Sequence, residues 1–283
     1  MKDRICLITG ASSGIGKATA LELAKMNAQV VIVARNKDRG KAVVSEIIAA
    51  SGNSNVDLIV ADLSSQKDIR QLVQEFKSKY NQLHVLVNNA GTYSTVRSIT
   101  EDGLETTFAV NYLAPFLLTN LLLDVLKANA PSRVVNVAGA YHRKATMNFD
   151  DLMSEQDYSG TKANNMAKLG LVLFTYELAR KLKGTGVTSN CLHPGAIATG
   201  LIEKDPNYPR SSLMIYRLFS RFFSKPEKGA ETPVYLASSD EVADITGKYF
   251  EKMKETKSSP DSYDESAALR LWNISLNLAG LGS

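Results

Sequence analysis

Short apolar runs rich in β-branched residues alternate along this chain with longer segments of helical periodicity. The runs are RICLIT (4–9), QVVIVA (29–34), VDLIVA (56–61), HVLVNN (84–89), RVVNVA (133–138) and VTSNCL (187–192), with a last run near 246–250. Strands that are apolar throughout and separated by single helices belong in a parallel sheet covered by helices on both faces. The alternation therefore predicts an α/β fold with a doubly wound, mostly parallel sheet of seven strands.

The predicted helices lie between these strands, and we see no linker long enough to divide the chain. They cover 15–27, 37–51, 66–80, 103–129 and 163–183. Gly184 and Gly186 provide the stop expected after a helix whose last turn is rich in lysine. The segment 251–266 is polar and is predicted to lie on the surface, before a short helix that contains Trp272. One domain spanning 1–283 is expected.

Composition limits the classes of function. With 283 residues, 44% of them hydrophobic, the chain can bury a large core. Cys6 and Cys191 lie in strand runs, which predicts buried thiols in a reducing cytoplasm, with no metal site. The first residues carry no secretion signature, and Asn120 and Asp124 interrupt the most apolar stretch, so no membrane-spanning helix is expected. The net charge of +4 is modest and its basic residues alternate with acids, which argues against a nucleic-acid partner.

The stretch TGASSGIG (9–16) follows the first apolar run directly and opens the first predicted helix. Glycines at such a junction permit a tight turn and close backbone approach, so that amide groups and the positive helix end face a pyrophosphate. In this strand-turn-helix context the motif indicates a dinucleotide-binding Rossmann domain. The residues assigned to the phosphate loop are Gly10, Ser12, Ser13, Gly14, Ile15 and Gly16.

The end of the second strand indicates which nicotinamide dinucleotide binds. An acid at this point accepts the ribose hydroxyls of NAD, but the sequence reads VARN and places Arg35 where a guanidinium can pair with a 2′-phosphate. Lys17 lies in the first turn of the first helix, where a cation interacts unfavourably with the positive end of the helix dipole. This costs roughly 0.3–1 kcal/mol unless an anion is nearby. Both observations favour NADP(H). The alternative is that Arg35 and Lys17 are solvated surface charges.

Together with the phosphate loop, further motifs resemble the short-chain dehydrogenase/reductase family over nearly the whole chain. They are Asp62-Leu63, Asn88-Asn89-Ala90-Gly91, Asn111 and His193-Pro194-Gly195, while NFDDL, ELARKLKGTGVTSNCLHPG and TGKYF are similar to the retinol-dehydrogenase-like branch. The resemblance implies that Asp62 contacts adenine and that the Pro-Gly segment packs beside the nicotinamide. The cofactor positions that it implies outside the phosphate loop are Asp62, Leu63, Asn89, Ala90, Gly91, Lys168, Pro194, Gly195, Ile197 and Thr199.

Two catalytic positions implied by the resemblance carry unusual residues. The family has a Ser near the end of the fifth strand, and a Tyr and a Lys four residues apart on the next helix. Here the strand reads RVVNVAG, with Gly139 at the Ser position, and the helix reads ANNMAK, with Asn164 at the Tyr position and Lys168 in place. An amide can orient an oxygen but has no accessible proton at neutral pH. Lys168 and Asn111 therefore remain without the family's general acid.

A second Tyr and Lys four residues apart, Tyr158 and Lys162, offer another alignment. A shift of six residues moves a helical side chain by about 9 Å along the axis and rotates it by about 240°, away from the nicotinamide. Gly160 also weakens a continuous helical turn there by about 1 kcal/mol relative to Ala. The alignment of Asn164 with Lys168 is therefore preferred.

Four side chains near the carboxyl ends of the strands are considered as replacement acids: Tyr93, Tyr141, His142 and Tyr158. Open α/β sheets bind their ligands at this edge. His142 has the most suitable ordinary pKa, but it follows the strand in a polar loop, which predicts exposure to solvent.

The segment YPRSSLMIYRLFSRFFS (208–224) is apolar around most of its helical turn and carries an arginine strip. The resemblance implies a substrate lid at about 198–226. Bulky side chains in this segment favour a lipophilic or aromatic substrate, with packing against a partner helix or contact with a membrane surface as alternatives. Members of the family often pair through the helix that contains Lys168, which implies a homodimer or homotetramer.

Three hypotheses follow from these observations. The first is an NADP(H)-dependent oxidoreductase whose substrate does not need the missing Tyr. The second is a non-redox protein on the same scaffold, either a cyclase, isomerase or dehydratase, or a pseudoenzyme that senses the cofactor. The third is an inactivated variant of an ordinary carbonyl reductase, although Ala138 and Ala167 beside the changed positions indicate wider divergence.

Overall fold

The computed structural model describes residues 1–197, 205, 207–208, 213–214 and 223–282. In that part of the chain one sheet has the strand order β3-β2-β1-β4-β5-β6-β7-β8. The strands are β1 (Ile5–Thr9), β2 (Gln29–Ala34), β3 (Val56–Val60), β4 (Val85–Asn88), β5 (Ser132–Val137), β6 (Val187–His193), β7 (Tyr249–Glu251) and β8 (Lys254–Glu255). Neighbours are parallel except β7 and β8. The doubly wound α/β fold is confirmed, with eight strands instead of seven because the charged two-residue β8 has no apolar run.

Seven helices connect or flank the described strands. They are α1 (Gly14–Lys25), α2 (Lys37–Ser51), α3 (Gln66–Lys79), α4 (Thr106–Ala128), α5 (Gly160–Lys181), α6 (Pro226–Ser238) and α7 (Glu265–Leu278). Local residues explain several of their ends. Asn36 and Ser65 accept backbone N–H groups at the starts of α2 and α3. Gly184, beyond α5, has φ +81°, a conformation that suits glycine.

The helices form a layer on each face of the sheet. One layer contains α1, α2 and α6, whose Leu23, Val43 and Leu236 join the buried cluster on that face. The other contains α3, α4, α5 and α7, and its cluster includes Phe116 and Leu173. Each fully buried side chain of this size contributes about 1.5–3 kcal/mol, so the two clusters hold the sheet rigid and fix the position of the loops at its carboxyl edge.

Helix α4 is, by length and composition alone, able to cross a membrane, contrary to the expectation from the sequence. Of its most apolar window, 67% is buried inside the fold, as in a core helix. The two interrupting residues face polar partners. Asn120 donates to the Phe116 carbonyl at 2.8 Å, and Asp124 pairs with Lys77 at 2.7 Å on the surface. They therefore mark the outer side of an otherwise buried helix.

The carboxyl-terminal segment is less exposed than predicted. Ser258, Ser259 and Ser262 are buried, and the Ser258 hydroxyl lies 2.7 Å from the Tyr176 hydroxyl of α5. Beyond it, α7 packs along α4 and α5. Its Trp272 is only 7% exposed and lies in the aromatic cluster described below. Most of the segment 251–266 is exposed, as predicted, but tertiary contacts bury these three serines, which look polar in the sequence.

Helix α7 covers part of the helix through which pairing was expected. The Trp272 ring stacks on Phe174 of α5 at 5.8 Å and meets Phe116 of α4 edge-on at 5.0 Å. The Ser275 hydroxyl of α7 lies 2.6 Å from the Tyr112 hydroxyl of α4. These contacts occur within one chain, so this side of α5 is already packed.

Candidate active site

The loops that follow β1 and β4 are joined by Thr9 at the carboxyl edge of the sheet. The Thr9 hydroxyl accepts the backbone N–H groups of Asn89 and Ala90 at 3.0 and 3.1 Å. The Asn89 side chain donates in return to the Thr9 carbonyl at 2.9 Å. The phosphate loop and the NNAG turn therefore form one hydrogen-bonded unit.

Glycine is required at two points of this unit because the backbones approach closely. A Cβ on Gly10 would lie 2.7 Å from the Ala90 Cα, and Gly10 has φ +66°. A Cβ on Gly16 would lie 2.3 Å from the Asn89 Nδ2. Such contacts leave no room for a side chain, so these glycines allow the loop to close over the NNAG turn.

The amino-terminal end of α1 presents backbone N–H groups suited to an anion. Its cap residue is Ser13, whose side chain makes no capping hydrogen bond, and the first turn contains no acid. The N–H groups of a first helical turn and the positive end of the helix dipole bind phosphate groups in such an arrangement. Ser12 and Gly14 complete the loop, and Gly14 has φ +57°. The residues present thus fit a dinucleotide pyrophosphate.

Two arginines lie beside the phosphate loop. Arg35, at the end of β2, has an 80% exposed side chain and lies 3.8 Å from the Asp62 carboxylate. Arg39, on the first turn of α2, donates from Nε to the Ser12 carbonyl at 3.1 Å. Sequence reasoning did not identify Arg39 as a site residue. The only signal for it was the spacing of the two arginines in RNKDR. The argument from Lys17 was wrong, because Lys17 pairs with Glu46 of α2.

The remaining cofactor positions predicted from the resemblance lie around the same edge. Asp62 is held by Ser64, whose N–H and hydroxyl reach one carboxylate oxygen at 2.9 and 2.7 Å, and Leu63 follows it after β3. A Cβ on Gly229 would lie 2.8 Å from Ile197 and 2.9 Å from Ile15, so the segment after β6 comes close to the phosphate loop. Pro194 and Gly195 lie between β6 and Ile197. Thr199 and most of the lid at 198–226 lie outside the described residues.

Three side chains converge where β4, α4 and α5 meet. The Asn111 Nδ2 donates to the Asn164 Oδ1 at 3.1 Å and to the Thr92 carbonyl at 2.9 Å. The Lys168 Nζ donates to the Val137 carbonyl at 3.0 Å. Desolvation lowers the pKa of Lys168 to about 8. Asn164 and Lys168 are one turn apart on α5 and share a face.

Asn111 lies in a π-helical turn, Ala109–Leu113, inside α4. A π turn inserts one extra residue and often occurs at functional sites. A Cβ on the neighbouring Gly91 would lie 3.3 Å from the Asn111 Oδ1 and 3.8 Å from the Lys168 Nζ. Gly91, Asn111 and Lys168 therefore border one small space.

The alternative pair points elsewhere. The Tyr158 hydroxyl donates to the Ser94 carbonyl at 3.0 Å, and Lys162 is exposed and pairs with Asp157 at 2.9 Å. Helix α5 starts at Gly160, so Tyr158 precedes it, and a Cβ on Gly160 would lie 2.0 Å from the Ser94 carbonyl oxygen. Tyr158 therefore ties the loop after β4 to the start of α5.

The turn after β5 differs from expectation at His142. The predicted exposure is wrong, because His142 is fully buried beneath the Tyr249 ring, at 4.8 Å between centroids. Its Nδ1 lies 2.8 Å from the Gly139 carbonyl, and its Nε2 accepts the Ser259 N–H at 3.2 Å. Burial lowers the pKa of His142. Both ring nitrogens thus connect this turn to the carboxyl-terminal segment.

Gly139 and Tyr141 flank the same turn. Gly139 has φ +90° and open space around the position of a Cβ. Tyr141 is 55% exposed. A Ser at position 139 would fit sterically but would require a backbone conformation that L residues rarely adopt. The glycine thus differs from the expected Ser in its backbone as well as in its lost hydroxyl.

Comparison with known proteins identifies the family. The short chain dehydrogenase family model matches residues 4–208. Retinol dehydrogenase 12 of Homo sapiens is 43% identical over 283 residues, covering 99% of this chain and 88% of the relative. Retinol dehydrogenase 14 of Homo sapiens is 41% identical over 295 residues, with the same two coverages.

Solved structures give the same result. An uncharacterised protein of Mycobacterium paratuberculosis has a TM-score of 0.79 and 27% identity, with 99% of this chain and 94% of the other covered. RhlG of Pseudomonas aeruginosa, solved as an NADP active-site complex, has a TM-score of 0.69 and 27% identity, with 88% and 94% covered. The chain belongs to the short-chain dehydrogenase/reductase family and is retinol-dehydrogenase-like. It is accordingly an oxidoreductase-family protein with a site for a nicotinamide cofactor.

Proposed function

We propose that this chain is an NADP(H)-dependent oxidoreductase for a lipophilic or aromatic small molecule, working without the Ser and Tyr that usually transfer the proton. The observation that carries the proposal is the cluster of Lys168, Asn111 and Asn164, which borders Gly91 of the NNAG turn. The names of the relatives support it, since retinol is lipophilic and RhlG is described with NADP.

The residues present suit each part of NADP(H). Backbone N–H groups of the phosphate loop and α1 would hold the pyrophosphate, and Arg35 with Arg39 the 2′-phosphate. Lys168 would hold the ribose beside the nicotinamide, and Pro194-Gly195 would line its ring. The cofactor supplies or accepts a hydride. The protein residues bind it, orient the substrate and provide or remove a proton.

The missing hydroxyls limit the choice of substrate. A positioned general acid raises the reaction rate by a factor of about 10² to 10⁴. An oxyanion-hole donor raises it by a factor of about 10² or more. An iminium, a quinone-like ring system or a strongly polarised conjugated carbonyl demands less of a protein acid than a simple ketone does. We therefore propose substrates of this kind.

A non-redox enzyme or cofactor-sensing pseudoenzyme is the second candidate. It is favoured by the hydrogen bond between Asn111 and Asn164. Two amides that bond to each other stand where the family has a proton donor. Gly139, with φ +90°, argues against the third candidate, a reductase inactivated by removing two hydroxyls, because the local backbone is also one that suits glycine.

Absorbance of NADPH at saturating enzyme tests the first candidate. The panel comprises a cyclic iminium, an ortho-quinone, a conjugated aromatic aldehyde and a simple ketone. Oxidation with the first three and little with the ketone is expected. NADPH binding without oxidation of cofactor by any of them would reject the oxidoreductase, and product formed with no net change in cofactor would favour the second candidate.

Restoring the usual residues separates a remodelled pocket from a disabled one. Asn164→Tyr with Gly139→Ser should give little gain in ketone reduction if the pocket is remodelled. Gly139→Ala is the matched control, because it introduces the same backbone strain without a hydroxyl. A strong gain in the double variant alone would support the inactivated reductase.

The proposal extends to location and assembly. The thiols Cys6 and Cys191 are free and buried, which is compatible with the reducing cytoplasm that we propose as the location. We also propose a single domain with a substrate lid at about 198–226, and peripheral membrane contact through that lid is the alternative. Because α7 covers one side of α5, a homodimer or homotetramer would have to use another face. Light scattering after size exclusion measures the assembly, and flotation with anionic vesicles tests the membrane contact.

A further inference from the structure

The side chains considered as replacement acids are either hydrogen-bonded within the chain or exposed to solvent. The Tyr158 hydroxyl donates a hydrogen bond to the Ser94 carbonyl. Both ring nitrogens of His142 make hydrogen bonds within the chain. The Tyr93 hydroxyl lies 3.3 Å from the Thr161 hydroxyl. Tyr141 is 55% exposed. In the described part of the chain, these four therefore make poor proton donors for a substrate held beside Lys168.

Lys168 itself has hydrogen-bonding capacity to spare. Its Nζ uses one N–H on the Val137 carbonyl and carries two more when protonated. The Asn164 Oδ1 accepts one hydrogen bond from Asn111, and the Asn164 Nδ2 has two N–H groups that can donate. Two donors thus stand one turn apart on the same face of α5. This is the arrangement that a substrate oxygen requires.

We propose that Lys168 is the general acid of this chain, and that Asn164 orients the substrate oxygen through its amide hydrogens. The inference rests on the proposed oxidoreductase function. In reduction, a bound nicotinamide cofactor would supply a hydride to the carbonyl carbon, and the C=O π electrons would move to oxygen. That oxygen takes one proton from the Lys168 Nζ. Alcohol and oxidised cofactor result, and the neutral amine regains its proton from solvent.

Desolvation prepares Lys168 for this role. It lowers the pKa of Lys168 to about 8, and no neighbouring charge contributes to the shift. Titratable groups on the elements packed around it are Tyr93 after β4, Glu105 and Tyr112 at the start of α4, and Tyr141, His142, Arg143 and Lys144 after β5. A general acid is most effective when its pKa lies near the working pH. The donor form is present below about pH 8 and is lost as pH rises through that value.

Lys168→Arg separates binding from proton transfer. Arginine keeps the positive charge and its donors but does not deprotonate in proteins. We expect it to retain NADPH affinity within about threefold, while the single-turnover reduction of the conjugated aldehyde falls by about 10²-fold or more. Lys162→Arg, on the exposed side of the same helix, is the matched control and should change neither quantity.

Two pH titrations of the unaltered chain, each compared with Lys168→Arg, extend this test. The rate of hydride transfer should fall above about pH 8, and this limb should be absent in Lys168→Arg. NMR titration of ¹³Cε-lysine, with Lys168 assigned by its loss in Lys168→Arg, should show one resonance with a midpoint near 8. Both results support the general acid.

The outcomes distinguish this inference from the proposed function. If Lys168→Arg reduces the aldehyde at the rate of the unaltered chain, or the pH limb is missing, Lys168 is not the acid while the oxidoreductase stands. If the unaltered chain binds NADPH but oxidises it with no substrate in the panel, both the function and the general acid are rejected.

Discussion

Removing Arg35 should reduce the preference of the proposed cofactor site for NADPH over NADH. The side chain is 80% exposed at the end of β2, and its one described ion pair, with Asp62, is 3.8 Å long. Arg35→Ala therefore costs the fold little. Its effect should fall on the 2′-phosphate, the one group that NADPH has and NADH lacks.

The expected magnitude follows from these contacts. A hydrogen bond to a charged group contributes about 1.5–3 kcal/mol. Solvent screens an exposed guanidinium, so the lower end of that range applies, and each 1.4 kcal/mol corresponds to about a tenfold change in Kd. We expect NADPH to bind about tenfold more weakly and NADH to stay within about twofold. Arg39→Ala should weaken both cofactors, because its Nε also supports the Ser12 carbonyl of the phosphate loop.

Fluorescence titration of NADPH and NADH at low and moderate ionic strength measures these changes. The matched control is Lys37→Ala, which removes an exposed cation two residues away. The loss of NADPH affinity in Arg35→Ala should shrink as salt rises, because the pair is exposed. An equal loss for both cofactors would mean that Arg35 acts on the loop, and unchanged NADPH binding would refute its assignment to the 2′-phosphate.

Three further predictions concern the scaffold. Gly10→Ala should abolish cofactor binding, measured by titration, since its Cβ would lie 2.7 Å from the Ala90 Cα; binding near that of the unaltered chain contradicts the close-approach argument. Trp272→Ala should lower the free energy of unfolding in urea by about 3–5 kcal/mol, and a loss under about 1 kcal/mol would show that α7 is loosely packed. Burial lowers the pKa of His142, so the neutral ring stabilises the fold above its ordinary pKa of 6.5, and that stability is lost as pH falls below it. His142→Gln should therefore make the free energy of unfolding depend less steeply on pH between pH 7 and 5. An unchanged dependence would contradict this prediction.

Much of the fold, and the close approach of the glycine-rich turn to the NNAG turn, could be predicted because the required residue types are local. Apolar runs of strand length alternate with helices, and Gly10 and Gly16 stand where two backbones meet. The spacing of Asn164 and Lys168 follows from one turn of helix, so their shared face was predictable too. Their role in catalysis remains a prediction.

Contacts between segments that are distant in the sequence could not be predicted from local patterns. Lys17 appeared free to attract a phosphate, but the fold brings Glu46 beside it. His142 stands among polar neighbours in the sequence, and only the return of Ser259 and Tyr249 to the end of β5 buries it. Arg39 has no motif of its own, and its contact with Ser12 depends on how α2 is placed against the phosphate loop.

The sequence by itself thus determined the doubly wound sheet, the glycine-rich turn after β1, and the position of an amide and a lysine one turn apart on one helix. Each depends on backbone geometry within a few residues of the motif. The tertiary structure alone decided that Asn111 closes on Asn164, that α7 covers α5, and that Lys168 is desolvated. These features depend on which surfaces remain to be buried once the layers have packed, and no local pattern carries that information.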